Sequence, residues 1–103
     1  MVDIEKLARQ VQRLQDLEDI KSLKHRYFRA MTHGDHATLK DTLTADVVTS
    51  YSDGHYVFDD REKLLKFLID SHDPNAKIIA WWMAGMPEIT FQSDTEATGI
   101  WAM

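Results

Sequence analysis

The chain has 103 residues, a net charge of −5 and no cysteine, and these features exclude several classes of protein. The length fits one small domain with a single core. An acidic chain without a Lys/Arg cluster disfavours nucleic-acid binding, and the lack of cysteine excludes disulfides and thiolate metal sites. No apolar run reaches the roughly 18 residues of a membrane span. We therefore expect a cytoplasmic protein that acts on small molecules and binds neither nucleic acid nor membranes.

Apolar residues recur at helical spacing over the first 32 residues, in two stripes separated by a slip of phase at Leu17. The first stripe consists of Ile4, Leu7, Val11 and Leu14. The second stripe consists of Ile20, Leu23, Tyr27 and Met31. The pattern is compatible with one long kinked helix, or with a short leading helix over residues 1–16 followed by a main helix. Because the leading part is polar outside its narrow stripe, we expect it to contact a partner subunit or the outside of its own domain.

Turn and capping residues divide the middle of the chain. Gly34 can close the first helix and Asp35 can cap a short second one. Residues 47–51 alternate as in a strand, and Asp53-Gly54 predicts a hairpin into a strand at residues 56–58. Asp59 and Glu62 have the spacing of a capping box, which predicts a third helix carrying four apolar side chains. These are Leu64, Leu65, Leu68 and Ile69.

The C-terminal third reads as strands. Residues 78–84 and 88–92 are predicted strands, interrupted around residues 85–87 where Gly and Pro favour a bulge or bend. A polar turn at residues 93–96 leads into a last predicted strand at residues 97–103. That strand has no closing turn, so its edge would be open unless another chain or further residues cover it.

Four phrases, taken in their order along the chain, carry a resemblance to a known family. They are LKHRYFRA at residues 23–30, VVTSY at 47–51, MPEIT at 86–90 and ATGIW at 97–101. The chain resembles the SnoaL-like branch of the nuclear transport factor 2 superfamily, most closely its bile acid dehydratase and scytalone dehydratase-like members. The resemblance runs from about Leu17 to the last residue. The superfamily includes dehydratases, isomerases, cyclases, hydrolases and binding modules, so the fold alone does not name a reaction.

The resemblance implies an α+β fold in which N-terminal helices pack on a curved, largely antiparallel sheet, forming a cone around a pocket. Residues 1–103 would be one such domain, with further strands of the family expected beyond Met103. Periodicity and resemblance together predict a set of buried side chains. These are Leu23, Tyr27, Leu39, Leu43, Leu64, Leu68 and Ile89.

The resemblance also implies a chemistry that needs no metal and no cofactor. The family's dehydratases use a His and a carboxylate as acid and base, with Tyr hydroxyls that hold a carbonyl oxygen. Tyr27 and Tyr51 match the pocket tyrosines and are the candidate catalytic residues. Thr32 stands where relatives commonly carry Asp, and Gly85 stands where they commonly carry His. The usual acid–base pair is therefore absent from both expected positions.

Bulky apolar residues near these positions predict a pocket for a flat apolar ligand, although the same residues would also suit a filled core. The residues predicted to line the pocket are Met31, Thr32, Trp82, Met83, Gly85 and Phe91. His33 and His36 share one turn but have no third ligand at a suitable spacing, so no metal site is predicted.

Two functions of different class follow. The first is a cofactor-independent lyase (dehydratase) or isomerase acting on a hydrophobic cyclic substrate, with Tyr27 and Tyr51 polarising an oxygen and a base from beyond Met103. The second is a non-catalytic member that binds a ligand or a partner. The open edge and the first apolar stripe predict self-association as a dimer or trimer.

Overall fold

The computed structural model describes residues 3–71 and 83–102, which contain three helices and four strands. The helices are α1 (Ile4–His33), α2 (His36–Asp41) and α3 (Arg61–Ser71). The strands are β1 (Thr49–Tyr51), β2 (Tyr56–Phe58), β3 (Glu88–Phe91) and β4 (Ala97–Ile100). Two compact units are present: a hairpin unit, made of Met1–His25 with Ala84–Met103, and a core unit, Arg26–Met83. Each is described by itself.

Helix α1 is continuous from Ile4 to His33, so the alternative of one long helix is the one observed. Asp3 caps its start by accepting a hydrogen bond from the Lys6 amide at 3.0 Å. Gly34 follows the helix with a φ of +67°, the left-handed conformation that glycine adopts without steric cost. Asp35 then caps α2, accepting from the Thr38 amide at 3.2 Å and from the Thr38 hydroxyl at 2.7 Å. The predicted helix end and the predicted cap are both confirmed.

The core unit holds every buried hydrophobic residue of the described chain. Leu39 from α2 and Leu64, Leu65 and Leu68 from α3 form its centre together with Ala30 and Met31 of α1. Leu64 and Leu65 are adjacent on α3, and neither is exposed to solvent. Half-buried apolar residues surround this centre, and they are Tyr27, Leu43, Val47, Tyr51, Phe58, Phe67 and Ile69.

Strands β1 and β2 form an antiparallel pair in which Thr49 faces Phe58 and Tyr51 faces Tyr56. The turn between them contains three consecutive residues of positive φ, at Ser52, Asp53 and Gly54. This confirms the hairpin that Asp53-Gly54 predicts. The first strand is shorter than expected, because Val47 and Val48 lie outside the ladder.

The third helix begins one residue later than the capping box suggests. The carboxylate of Asp60, not that of Asp59, accepts from the Glu62 amide at 2.8 Å and from the Lys63 amide at 3.5 Å. Asp59 and Glu62 therefore do not form the predicted box. Glu62 instead pairs with Lys40 of α2 at 3.1 Å.

In the hairpin unit, β3 and β4 pair antiparallel, with Glu88 opposite Ile100 and Phe91 opposite Ala97. The predicted polar turn closes this hairpin, and the Gln92 amide donates to the Glu96 carbonyl at 3.0 Å. Trp101 lies across Gly99, where the indole occupies the space that a side chain at position 99 would need.

The sheets of the described residues are two separate two-stranded ladders, so the expected single curved sheet is not seen there. Leu23 was predicted to be buried but is 42% exposed. Tyr27, Leu43 and Ile89 are half-buried, whereas Leu39, Leu64 and Leu68 are buried as predicted. Most of the predicted strand at 78–84 lies outside the described residues, and its last two residues are not strand. No helix within residues 3–71 and 83–102 is both long and apolar enough to cross a membrane.

Candidate functional site

The two tyrosines singled out by the sequence are hydrogen-bonded to each other in the core unit. Tyr27 lies on α1, one turn before Met31, and Tyr51 is the last residue of β1. Their hydroxyl groups form a side-chain hydrogen bond, and both rings are half-buried against the apolar core. Helix α1 and strand β1 thus bring together two residues that are 24 positions apart in sequence.

Burial, and then the neighbouring Tyr51, raise the pKa of Tyr27 well above that of an ordinary tyrosine. Loss of solvent disfavours the phenolate, and so does a hydrogen bond that Tyr27 donates in its neutral form. The raised pKa therefore keeps the Tyr27 phenol protonated at neutral pH. Tyr27 is thus suited to donating a hydrogen bond rather than to removing a proton.

Phe67 of α3 organises the aromatic surroundings of the pair. Its ring centroid lies 6.0 Å from that of Tyr51, with an interplanar angle of 28°. Tyr56 and Phe58 of β2 lie 5.4 Å and 4.8 Å from the same ring. This packing fixes the Tyr51 ring, and it offers flat apolar surface next to a phenol hydroxyl.

Thr49 adds a polar atom on the same face of β1. Residues two apart on a strand project to the same side, so Thr49 and Tyr51 face one way. The Thr49 hydroxyl oxygen is buried and has no hydrogen-bond partner within the described residues. Leaving a buried hydroxyl without a partner costs roughly 1–3 kcal/mol of folding free energy. A ligand atom that hydrogen-bonds to Thr49 would remove this cost.

The described part of the core unit places no carboxylate or imidazole in its buried interior. Thr32, at the expected Asp position, is half-buried on α1. His33, Asp35 and His36 are exposed, and Asp35 is accounted for as the α2 cap. The hydrogen bonds from Thr38 lower the pKa of Asp35, as expected for a capping carboxylate. Among the described residues no group of three or more His, Asp or Glu could hold a metal ion.

The remaining predicted pocket residues are divided between the two units. Met31 is buried within the core cluster, whereas the Met83 side chain is 70% exposed. Gly85 belongs to the hairpin unit, where its amide donates to the Ala102 carbonyl at 2.7 Å. A side-chain carbon at Gly85 would lie 3.3 Å from that carbonyl oxygen, closer than most such contacts. Trp82 lies outside the described residues.

Phe91 instead lines an open groove of about 430 Å³ in the hairpin unit. The Arg13 guanidinium lies 4.0 Å from the centroid of the Phe91 ring and pairs with Asp94 at 3.4 Å. The groove combines apolar residues with carboxylates, and its lining includes Ile20, Leu23, Trp101, Asp16, Asp19 and Glu96. Phe91 therefore belongs to the hairpin unit, whereas the tyrosine pair belongs to the core unit.

A family profile described as the SnoaL-like domain matches residues 12–103. The match covers most of the chain, including every described residue of α2, α3 and the four strands. The chain belongs to the SnoaL-like family. For a SnoaL-like domain, an α+β fold and a small-molecule-binding role follow from membership, and the described helices and antiparallel strand pairs agree with that fold class.

Sequence reasoning gave no functional role to two residues of this SnoaL-like domain that lie near Tyr51. Thr49 could have been found, because strand alternation already puts it on the face of Tyr51. The sequence signal for Phe67 was weaker, since this residue lies among the apolar residues that form the buried side of α3. An aromatic residue at that boundary is explained only once β1 and β2 are seen to contact α3.

Proposed function

We propose that this SnoaL-like domain binds an apolar cyclic small molecule that carries a carbonyl or hydroxyl oxygen, and that Tyr51, oriented by Tyr27, donates a hydrogen bond to this oxygen. The observation that carries the proposal is the pairing of Tyr27 with Tyr51 beside apolar and aromatic side chains, with Tyr27 held in its neutral form. In this proposal the ligand lies in a cone-shaped pocket of the family kind, with Met31 and Thr32 among its lining residues.

Each polar group of the face has a defined part in the proposal. In the proposal Tyr27 donates its hydrogen bond to Tyr51, which leaves the Tyr51 hydroxyl to donate to the ligand oxygen. Thr49 supplies a second polar contact, because its buried hydroxyl lacks a partner in the described chain. Phe67 and Phe58 supply flat apolar contacts. Binding would satisfy the Thr49 hydroxyl and shield apolar surface from water.

The test uses two bicyclic probes of the same shape, the ketone 1-tetralone and its oxygen-free analogue tetralin, with affinities measured by calorimetry. We expect 1-tetralone to bind more tightly than tetralin. Tyr51→Phe should weaken 1-tetralone by about tenfold, the worth of one hydrogen bond, while leaving tetralin unchanged.

The matched control is Tyr56→Phe. Tyr56 stacks on the same Phe67 ring but is 50% exposed, so removal of its hydroxyl should change neither affinity. Equal loss of affinity in the Tyr51 and Tyr56 variants would contradict the assigned role of Tyr51. Failure of both probes to bind would contradict an apolar cyclic ligand.

Catalysis is the second candidate. The neutral state of Tyr27 favours it, because a neutral phenol can polarise a carbonyl group by donating a hydrogen bond. The reaction would be dehydration or isomerisation of a cyclic substrate, as in the dehydratase-like members that the chain resembles. It also needs a base, and Thr32 cannot serve as one at neutral pH. We therefore rank binding first.

A dehydration assay separates the two candidates. If the wild-type protein converts a cyclic β-hydroxy ketone to the enone at an enzyme-like rate, and Tyr51→Phe slows this conversion, then catalysis is the function. If it binds the ketone without turnover, the binding function stands. Enone formation is followed by its ultraviolet absorbance.

A further inference from the structure

The first apolar stripe of α1 is exposed to solvent. Ile4 is 76% exposed, Leu7 49%, Val11 58% and Leu14 63%. Three of these four residues precede the part of the chain that matches the SnoaL-like profile, which begins at residue 12. Most of the stripe therefore precedes the matched family domain, and the described residues leave the stripe exposed.

The stripe also lies on the side of α1 that points away from the β3–β4 hairpin. The groove residues Asp16 and Ile20 follow Val11 by five and nine positions, which rotates them by about 140° and 180° around the helix. The slip of phase at Leu17 is thus where the apolar side of α1 changes. Before it the apolar side faces solvent, and after it Ile20 and Leu23 line the groove beside the β3–β4 hairpin.

The residue types in the stripe identify what could cover it. The spacing is that of a heptad seam, with Ile4 and Val11 at a positions and Leu7 and Leu14 at d positions. β-Branched residues at a with Leu at d favour two parallel strands. The next seam positions are Glu18 and Lys21, which pair with each other at 3.5 Å and end the apolar run.

Charge around the seam permits two copies to meet. The flanking e and g positions are Asp3, Ala8, Gln10 and Gln15, and in a parallel pair the Asp3 of one copy faces Ala8 of the other. Residues 3–14 carry three basic and two acidic side chains, whereas the whole chain has a net charge of −5. The segment is close to neutral, so two copies of it avoid the repulsion that the rest of the chain would cause.

We propose that residues 4–14 of α1 form a short parallel two-stranded coiled coil with the same segment of a second copy of this chain. Two heptads make a small interface, so we expect a dimer that dissociates in the micromolar range. The proposal does not depend on the proposed ligand, because the seam and the tyrosine pair belong to different units.

Sedimentation equilibrium of the full chain at about 10–100 µM, the range that a micromolar complex requires, tests the proposal. We expect a monomer–dimer equilibrium. The double variant Leu7→Glu/Leu14→Glu should weaken it by about 100-fold or more, since it places carboxylates in the seam of both copies. Lys6→Glu is the matched control, because it makes the same change in net charge off the seam and should leave the dimer intact. Far-UV circular dichroism establishes that each variant keeps its helix content.

Orientation is tested with single cysteines, which is simple because the chain has none. In a parallel pair the two copies of residue 7 lie side by side, so Leu7→Cys should form a disulfide-linked dimer on mild oxidation and Lys6→Cys should not. A monomer at every concentration, a trimer, a dimer that survives Leu7→Glu/Leu14→Glu, or a Leu7→Cys protein that does not cross-link would each overturn the proposal.

Discussion

Among the described residues, Tyr27 is the one whose pKa is shifted furthest by its surroundings. Its hydroxyl is taken out of water and hydrogen-bonded to Tyr51, and both effects favour the neutral form. The resemblance to the SnoaL-like family singled out this residue, which lies on the second apolar stripe. The same resemblance singled out Tyr51, at the end of a predicted strand.

The raised pKa predicts that folding stability depends on Tyr27 at alkaline pH. A group whose pKa is higher in the folded state stabilises the fold fully below its unfolded pKa, about 10 for tyrosine, and this contribution is lost as pH rises further. We expect the wild type to lose stability above that pH more steeply than Tyr27→Phe. Urea unfolding at several pH values measures this, and parallel pH profiles for the two proteins would contradict it.

At the level of elements, the sequence predicted where a helix ends and where a hairpin turns. Gly34 and Asp53-Gly54 were predicted correctly because the backbone conformation they permit depends on those residues alone. The single curved sheet stays a prediction, because its strand pairing depends on residues far apart in sequence. The exposed Leu23 shows the same limit, since periodicity gives the apolar side of a helix but not what covers it.

The cap of α3 is a case in which the local pattern was misassigned by one residue. Asp60 accepts two amide hydrogen bonds at the start of α3, and neighbouring Asp59 is exposed. Asp60→Ala should lower the free energy of unfolding by about 1 kcal/mol, whereas Asp59→Ala should change it by less than about 0.5 kcal/mol. Thermal unfolding of the two variants measures the difference, and equal effects would show that the cap is shared.

For the whole molecule, burial is unevenly distributed. All seven buried hydrophobic residues of the described chain belong to the core unit, and the hairpin unit has none among its described residues. Global stability should therefore depend mainly on α2, α3 and the last turns of α1.

A pair of leucine truncations tests this distribution. Leu64→Ala removes a fully buried side chain and should cost about 2–5 kcal/mol, because it leaves a cavity in the core. Leu23→Ala removes a side chain that is 42% exposed, and it should cost about 1 kcal/mol or less. Denaturant unfolding gives both values, and a Leu23 effect equal to that of Leu64 would contradict the uneven distribution.

The Trp101 side chain packs directly over Gly99 of β4. The indole fills the space above Gly99, so a side chain at position 99 would collide with it and with Ile89. The evolutionary consequence is covariation: a lineage that replaces Gly99 must also shrink or redirect the residue at 101. Aligned relatives that keep an aromatic residue at 101 should therefore keep glycine at 99, for steric reasons unrelated to any ligand.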